Sequence, residues 1–428
     1  MKRFMGNSTM SGVVLFTAAL AAIIISNSPL AHGFHSIWEI KAGVSFGSFR
    51  LEKSIHHWIN DGLMAIFFFV VGLELKREIL AGELSNPRKA MMPLAAAVGG
   101  MVVPAGIYVL FNHPGTDAGA GWGIPMATDI AFALGIMYLL GDRVPLTLKV
   151  FLTALAIADD LGAVLVIAFF YTSDINTTSL ITGMVFMVVL LAGNYIGIRS
   201  TLFYGIIGVG GLWLAFLMSG VHATIAAVLA AFTIPARVSI PENVFYKRMV
   251  ALVDKFKKAE PNDKITVTSE QQKILERMEQ LTLEATTPLQ RIEHSLHPLV
   301  AFIIIPLFAL SNAGVSINSE TLADLGNPVT MGVAFGLLFG KVLGITGMVA
   351  LLYYTGISSL PDGTNWRHII GTSFLAAIGF TMSLFITELA FADKMLVEQA
   401  KMGILITSLV AGTIGYIILR NAGTKKNI

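Results

Sequence analysis

Apolar residues in this chain come in long unbroken runs separated by short polar turns. Runs of about 17 to 25 residues match helices that cross the hydrocarbon core of a bilayer. Twelve are predicted, at about residues 11–28, 59–82, 92–112, 121–141, 147–171, 178–197, 201–217, 220–236, 288–312, 331–353, 367–390 and 397–420. One long polar stretch, residues 238–287, interrupts them and holds eight basic and eight acidic residues. Within it VFYKRMVALVDKFKKAE and SEQQKILERMEQLTLEA place apolar residues at helical spacing, which predicts a hydrophilic helical hairpin. Mixed-charge helices of this kind are usually solvated packing elements, and the alternative is a regulatory module. VSFGSFRLEKSIHHW, residues 44–58, alternates loosely and predicts a small external β-hairpin.

Composition agrees with the pattern. Of 428 residues, 55% are hydrophobic and only 13% charged, against about 25% charged in a soluble domain. The predicted class is an all-α polytopic membrane protein with the lipid bilayer as its main partner. A net charge of +2 points to no nucleic-acid partner, and the lack of cysteine excludes disulfides, thiolate metal sites and thiol nucleophiles. The first residues, MKRFMGNSTMSGVVLFTAALAAIIIS, imitate a signal peptide but read better as an uncleaved first span.

Lys and Arg positions set the orientation. With Lys2 and Arg3 inside and sides alternating, 23 of the 29 basic residues fall on the inner side and five outside. That bias predicts both termini and the 238–287 insert in the cytoplasm. The remaining residue, Lys341, falls within a span.

Asp129, Asp159 and Asp160 also fall within spans. A charge at the bilayer centre costs roughly 3 kcal/mol on insertion scales, so such residues are functional by default. The competing reading is a structural ion-pair cluster that sets helix register. Asp159 and Asp160 are adjacent, so they point about 100° apart on a helix and cannot face one partner together. One is expected to pair with Lys341 and the other to face a cavity. Burial and a second carboxylate disfavour ionisation while a cation favours it, so the two titrate as a coupled unit. Ionised, they form a hard oxygen site suited to Na⁺ or Li⁺. Protons and cations compete for the same oxygens, and that competition is the core of an exchanger.

Two spans carry breaks. In GWGIPMATDIAFALG, residues 121–135, Gly123, Pro125 and the Thr128–Asp129 pair interrupt the apolar run. In GFTMSLFITE, residues 379–388, Gly379, Thr381 and Ser383 mark a weaker candidate. Irregular backbone survives at membrane depth only inside protein or beside water. Paired breaks in corresponding halves point to a transporter site. Asp129 and Lys341 fit the task of offsetting opposed half-helix ends.

At these residues the chain resembles the NhaA family of bacterial sodium/proton antiporters. The matching stretches are VGLELKREI (71–79), ATDIAFALG (127–135), ADDLGAV (158–164), SGVHATIAAV (219–228), RIEHSLHPLVAFIIIPLFALSNAGV (291–315), GKVLGI (340–345) and GFTMSLFI (379–386). The resemblance implies twelve helices in one antiporter domain spanning residues 1–425. Spans 3–5 and 10–12 would form a core of inverted repeats with crossed, interrupted spans 4 and 11. Spans 1–2 and 6–9 would form a panel for a homodimer in the inner membrane. It implies Asp160 as the main cation and proton carboxylate, Asp159 as its partner, Lys341 as the amine that pairs with Asp159, and Asp129 with Thr128 at the break. It further implies electrogenic export of Na⁺ or Li⁺ against protons, active at alkaline pH, in sodium and pH homeostasis. No cofactor and no enzymatic chemistry are implied. The family commonly reads Lys-Pro-Leu-Gly where this chain has Lys341, Val342, Leu343 and Gly344, and it lacks so long an insert before span 9.

Secondary candidates are the titratable groups at span ends. His222 is either a pH-responsive group or a hydrogen-bonded packing histidine. Glu74 and Glu78 at the inner end of span 2, with Glu293, His294 and His297 at the start of span 9, are either a cytoplasmic pH-reporting cluster or ordinary interface charge. Asp61 is a lesser candidate for an exit path. Gly340 and Gly344, flanking Lys341, have the spacing of close helix packing. An intramembrane aspartyl protease would use Asp129 and Asp160, but its Gly-x-Gly-Asp motif is absent and it has no need of Lys341. A cation channel needs a carbonyl or charged filter that is not evident, and a symporter for organic solutes needs a wider polar pocket.

Overall fold

The computed structural model describes residues 8–46, 49–172, 175–259, 266–318 and 324–422. Lys2, Arg3, Lys264, Lys425 and Lys426 of the charge count lie outside them. The chain opens with α1 (Ser8–Ser26) and α2 (Ala31–Glu39), bent at 115° to each other. Strands β1 (Lys41–Phe46) and β2 (Phe49–Ser54) pair antiparallel, with Lys41 opposite Ser54. The hairpin thus begins earlier than residues 44–58 and ends sooner. The reason is a helix cap: the Ser54 hydroxyl accepts the His57 N–H at 3.2 Å, so residues 55–58 are already helical.

Helix α3 follows (residues 55–81), then α4 (Pro87–Phe111), capped by Asn86 with Pro87 in its first turn. A tight 3₁₀ segment, Ala118–Met126, precedes α5 (Ile130–Leu139). Next come α6 (Leu146–Phe170), α7 (Thr177–Ile196), α8 (Thr201–Leu217) and α9 (Ala223–Thr233). The polar insert forms α10 (Glu242–Lys258) and α11 (Ser269–Ala285). The chain ends with α12 (Pro288–Asn312), α13 (Pro328–Tyr354), α14 (Trp366–Ala376), α15 (Phe380–Ala390) and α16 (Lys394–Ala422).

Among the described residues, seven helices are long and apolar enough to cross a membrane, and nine if α1–α2 and α14–α15 each count as one crossing. The predicted twelve exceeds this because α8 and α9 are short, and α3 carries Glu74, Lys76, Arg77 and Glu78 towards its end.

Glycine decides how α13 sits on α4. A methyl group at Gly99 would meet the Gly344 carbonyl, and one at Gly344 would meet that of Gly99. One at Gly340 would lie 2.6 Å from the Pro104 Cα. The two backbones therefore touch where any side chain would hold them apart. Just before Lys341 the coil widens to a π turn, Gly336–Gly340. Such turns recur at functional positions.

Candidate functional site

Both predicted breaks exist, and they lie against each other. Residues 127–129 are extended between the 3₁₀ segment and α5. Residues 377–379 separate α14 from α15, which bend by 42°. A break leaves peptide groups without helical partners, and inside a membrane protein other protein groups must take them. Here each break serves the other. The Asp129 N–H donates to the Ile378 carbonyl at 2.7 Å. The Thr128 hydroxyl donates to the Ala376 carbonyl at 2.8 Å, and the Ser383 hydroxyl to that of Ile124 at 2.8 Å.

Asp129 ties the junction. Its Oδ1 accepts the Phe132 N–H at 3.0 Å, capping α5. Its Oδ2 accepts the Thr381 N–H at 3.1 Å and the Thr381 hydroxyl at 2.6 Å, capping α15. One buried carboxylate thus sits at the positive ends of two half-helices, where a negative charge is favoured.

Lys341 reaches this junction from α13. Its amine donates to Thr128 Oγ1 at 2.9 Å and to Asp159 Oδ2. Thr128, Asp129, Asp159, Asp160 and Lys341 are all buried. Asp159 is therefore half satisfied. Its Oδ1, and the Oδ1 of Asp160, the next residue, have no hydrogen-bond partner among the described residues. Two buried carboxylate oxygens in this state demand a proton or a cation.

The structure brings part of the second cluster together. Arg77 pairs with Glu293, and with Glu78 at 3.2 Å. Glu78 Oε2 also accepts the Glu83 N–H at 3.1 Å. Glu74 lies one turn before Glu78 on the same helix and interacts electrostatically with Glu293, Arg77 and Glu78, while His294 and His297 are exposed on α12. His222 is elsewhere: its Nε2 lies 2.7 Å from the Tyr171 carbonyl, and the Tyr171 hydroxyl donates to Ala120 at 2.7 Å. Asp61 Oδ2 lies 2.9 Å from His57 Nε2.

Sequence reasoning missed two features. The π turn ahead of Lys341 has no reliable sequence signal beyond Gly336 and Gly340. Lys401, counted among the outer basic residues, is buried in α16 and pairs with Glu388 at 2.7 Å. Its position inside the predicted span 397–420 was the available clue.

A family model described as Na+/H+ antiporter 1 matches residues 2–419. The Na(+)/H(+) antiporter NhaA of Oleidesulfovibrio alaskensis is 51% identical over 98% of this chain and 93% of its own length. The Na(+)/H(+) antiporter NhaA 1 of Saccharophagus degradans is 50% identical over 100% and 92%. That of Sulfurimonas denitrificans, named Na(+)/H(+) antiporter NhaA, is 47% identical over 98% and 94%.

Proposed function

The chain belongs to the Na+/H+ antiporter 1 family, and on that premise we propose the residues and the cycle by which it exchanges the two ions. It is a sodium/proton antiporter, a multi-pass membrane protein whose cargo is Na⁺ and H⁺. Asp160 and Asp159 hold either Na⁺ (or Li⁺) or protons, never both. Lys341 neutralises Asp159 and so limits the charge that burial must tolerate. Asp129 and Thr128 hold the two half-helices at the distance the cluster needs. The observation that carries this reading is the pair of buried oxygens, Asp159 Oδ1 and Asp160 Oδ1, that no described residue satisfies.

The cycle is alternating access. With the cluster open to the cytoplasm, Na⁺ displaces protons. The core then moves against the panel, Na⁺ leaves outside, and external protons return the carrier inward. Two carboxylates allow more protons than Na⁺ ions per cycle, which makes exchange electrogenic. The charge bias supports twelve crossings with both termini in the cytoplasm of a bacterial inner-membrane protein. The family resemblance supports inverted repeats in spans 3–5 and 10–12, a homodimer joined through the panel, and activation at alkaline pH through Glu74, Glu78, Glu293, His294, His297 and His222.

The experiment is proton flux from reconstituted vesicles on addition of NaCl, LiCl or KCl, with the wild type beside Asp160→Asn. Flux with Na⁺ and Li⁺ but not K⁺, lost in the variant, is the expected result. Cation-dependent flux that survives in Asp160→Asn would overturn the assignment.

A further inference from the structure

Among the buried polar atoms outside the cluster that have no hydrogen-bond partner among the described residues, two lie on one helix: His368 Nε2 and Thr372 Oγ1. His368 is 4% exposed and Thr372 is 0% exposed. They lie four residues apart on α14, and Ala376 lies four further on, so the three share one face. Neighbouring faces of the helix have other tasks. Gly371 and Leu375 pack on α16, and the Ser373 hydroxyl lies 3.1 Å from that of Thr346 on α13. The face of His368 and Thr372 ends at the Ala376 carbonyl, which accepts the Thr128 hydroxyl, and Thr128 in turn accepts from Lys341.

An unsatisfied polar atom in an apolar interior is costly, and a valine in place of Thr372 would avoid it. His368 Nδ1 accepts the Asn365 N–H at 3.2 Å, so a neutral ring carries its proton on Nε2. Four helical residues rise about 6 Å. That is about two hydrogen-bond lengths, the span that a single bridging water covers between polar groups.

We propose that this face of α14 orders a single file of water along which protons pass between the Thr128–Lys341–Asp159 cluster and the Arg367 end of the helix. That end is cytoplasmic in the charge-based topology. The file suits protons and not Na⁺. A cation needs several oxygen ligands, and here it meets one hydroxyl and an imidazole N–H pointed at it. Along the file each water accepts one proton and passes on another, so no group is left charged and no other bond changes. The proposal rests on reading the carboxylate cluster as the exchange site.

The test compares two fluxes in the same vesicles: sodium-driven proton flux, and exchange of radioactive sodium for unlabelled sodium, which moves no proton. Thr372→Val is expected to slow the proton flux about tenfold, the effect of one lost hydrogen bond in the path, and to leave sodium–sodium exchange unchanged. Thr372→Ser should restore the proton flux, and His368→Leu should show the same selective loss as Thr372→Val. Unchanged proton flux in Thr372→Val, or an equal fall in both fluxes, would overturn the proposal. Loss of sodium–sodium exchange in Asp160→Asn is the separate requirement of the cluster itself. If that variant still exchanges sodium, the cluster reading fails, and the proton path fails with it.

Discussion

Lys341 donates to Asp159 where both side chains are fully buried, and the only other partner of that amine is Thr128 among the described residues. A buried pair broken from one side leaves the other charge uncompensated. Lys341→Ala should therefore destabilise the fold by about 3–5 kcal/mol. The double variant Asp159→Asn/Lys341→Gln, which removes both charges, should recover most of that loss. The apparent melting temperature in detergent reads both, and a double variant no more stable than Lys341→Ala would contradict the pairing.

Asp160 carries a buried oxygen that has no partner among the described residues. If Na⁺ fills that place, Na⁺ must stabilise the folded protein. At one hundred times its dissociation constant the gain is about 2.7 kcal/mol. The wild type should melt higher in NaCl than in choline chloride, and Asp160→Asn should show no such rise.

Asp129 accepts three hydrogen bonds from two half-helices. Thr381→Val removes one of them, a bond to a carboxylate, and should cost about 1.5–3 kcal/mol. Thr381→Ser keeps the hydroxyl and should be close to neutral. Melting temperatures of the two variants check the difference.

The α4–α13 contact needs bare backbone. Gly344→Ala and Gly99→Ala each drive a methyl group into the facing carbonyl, and overpacking of that kind costs about 1–3 kcal/mol. Gly106→Ala, on the same α4 helix, has nothing within 4 Å of the added methyl group and serves as the control. Folded yield from the membrane should fall for the first two and hold for the third.

Much of this was legible in the linear chain, and particular residues show why. Asp159, Asp160 and Lys341 stand out because charge in an apolar run has few cheap explanations. The break at Thr128–Asp129 announces itself through Pro125. The break at residues 377–379 is fainter, since Gly379, Thr381 and Ser383 are ordinary in membrane helices. The burial of Lys401 and its pairing with Glu388 were not legible, because the partner lies in another helix. The hairpin boundary shifted because one hydroxyl, that of Ser54, chose to cap a helix.

Sequence alone determined the membrane class, the buried charges and the resemblance that names the ion pair exchanged. These are local properties: run length, charge inside a run, and motifs whose order survives in one dimension. Only the tertiary structure decided that Thr128 shares the Lys341 amine with Asp159, that Asp129 closes a helix break 252 residues away, and that Gly99 and Gly344 share a backbone contact. Each of these is a meeting of distant segments. It depends on which faces turn together once every freed peptide group has found a partner, and no single segment carries that information.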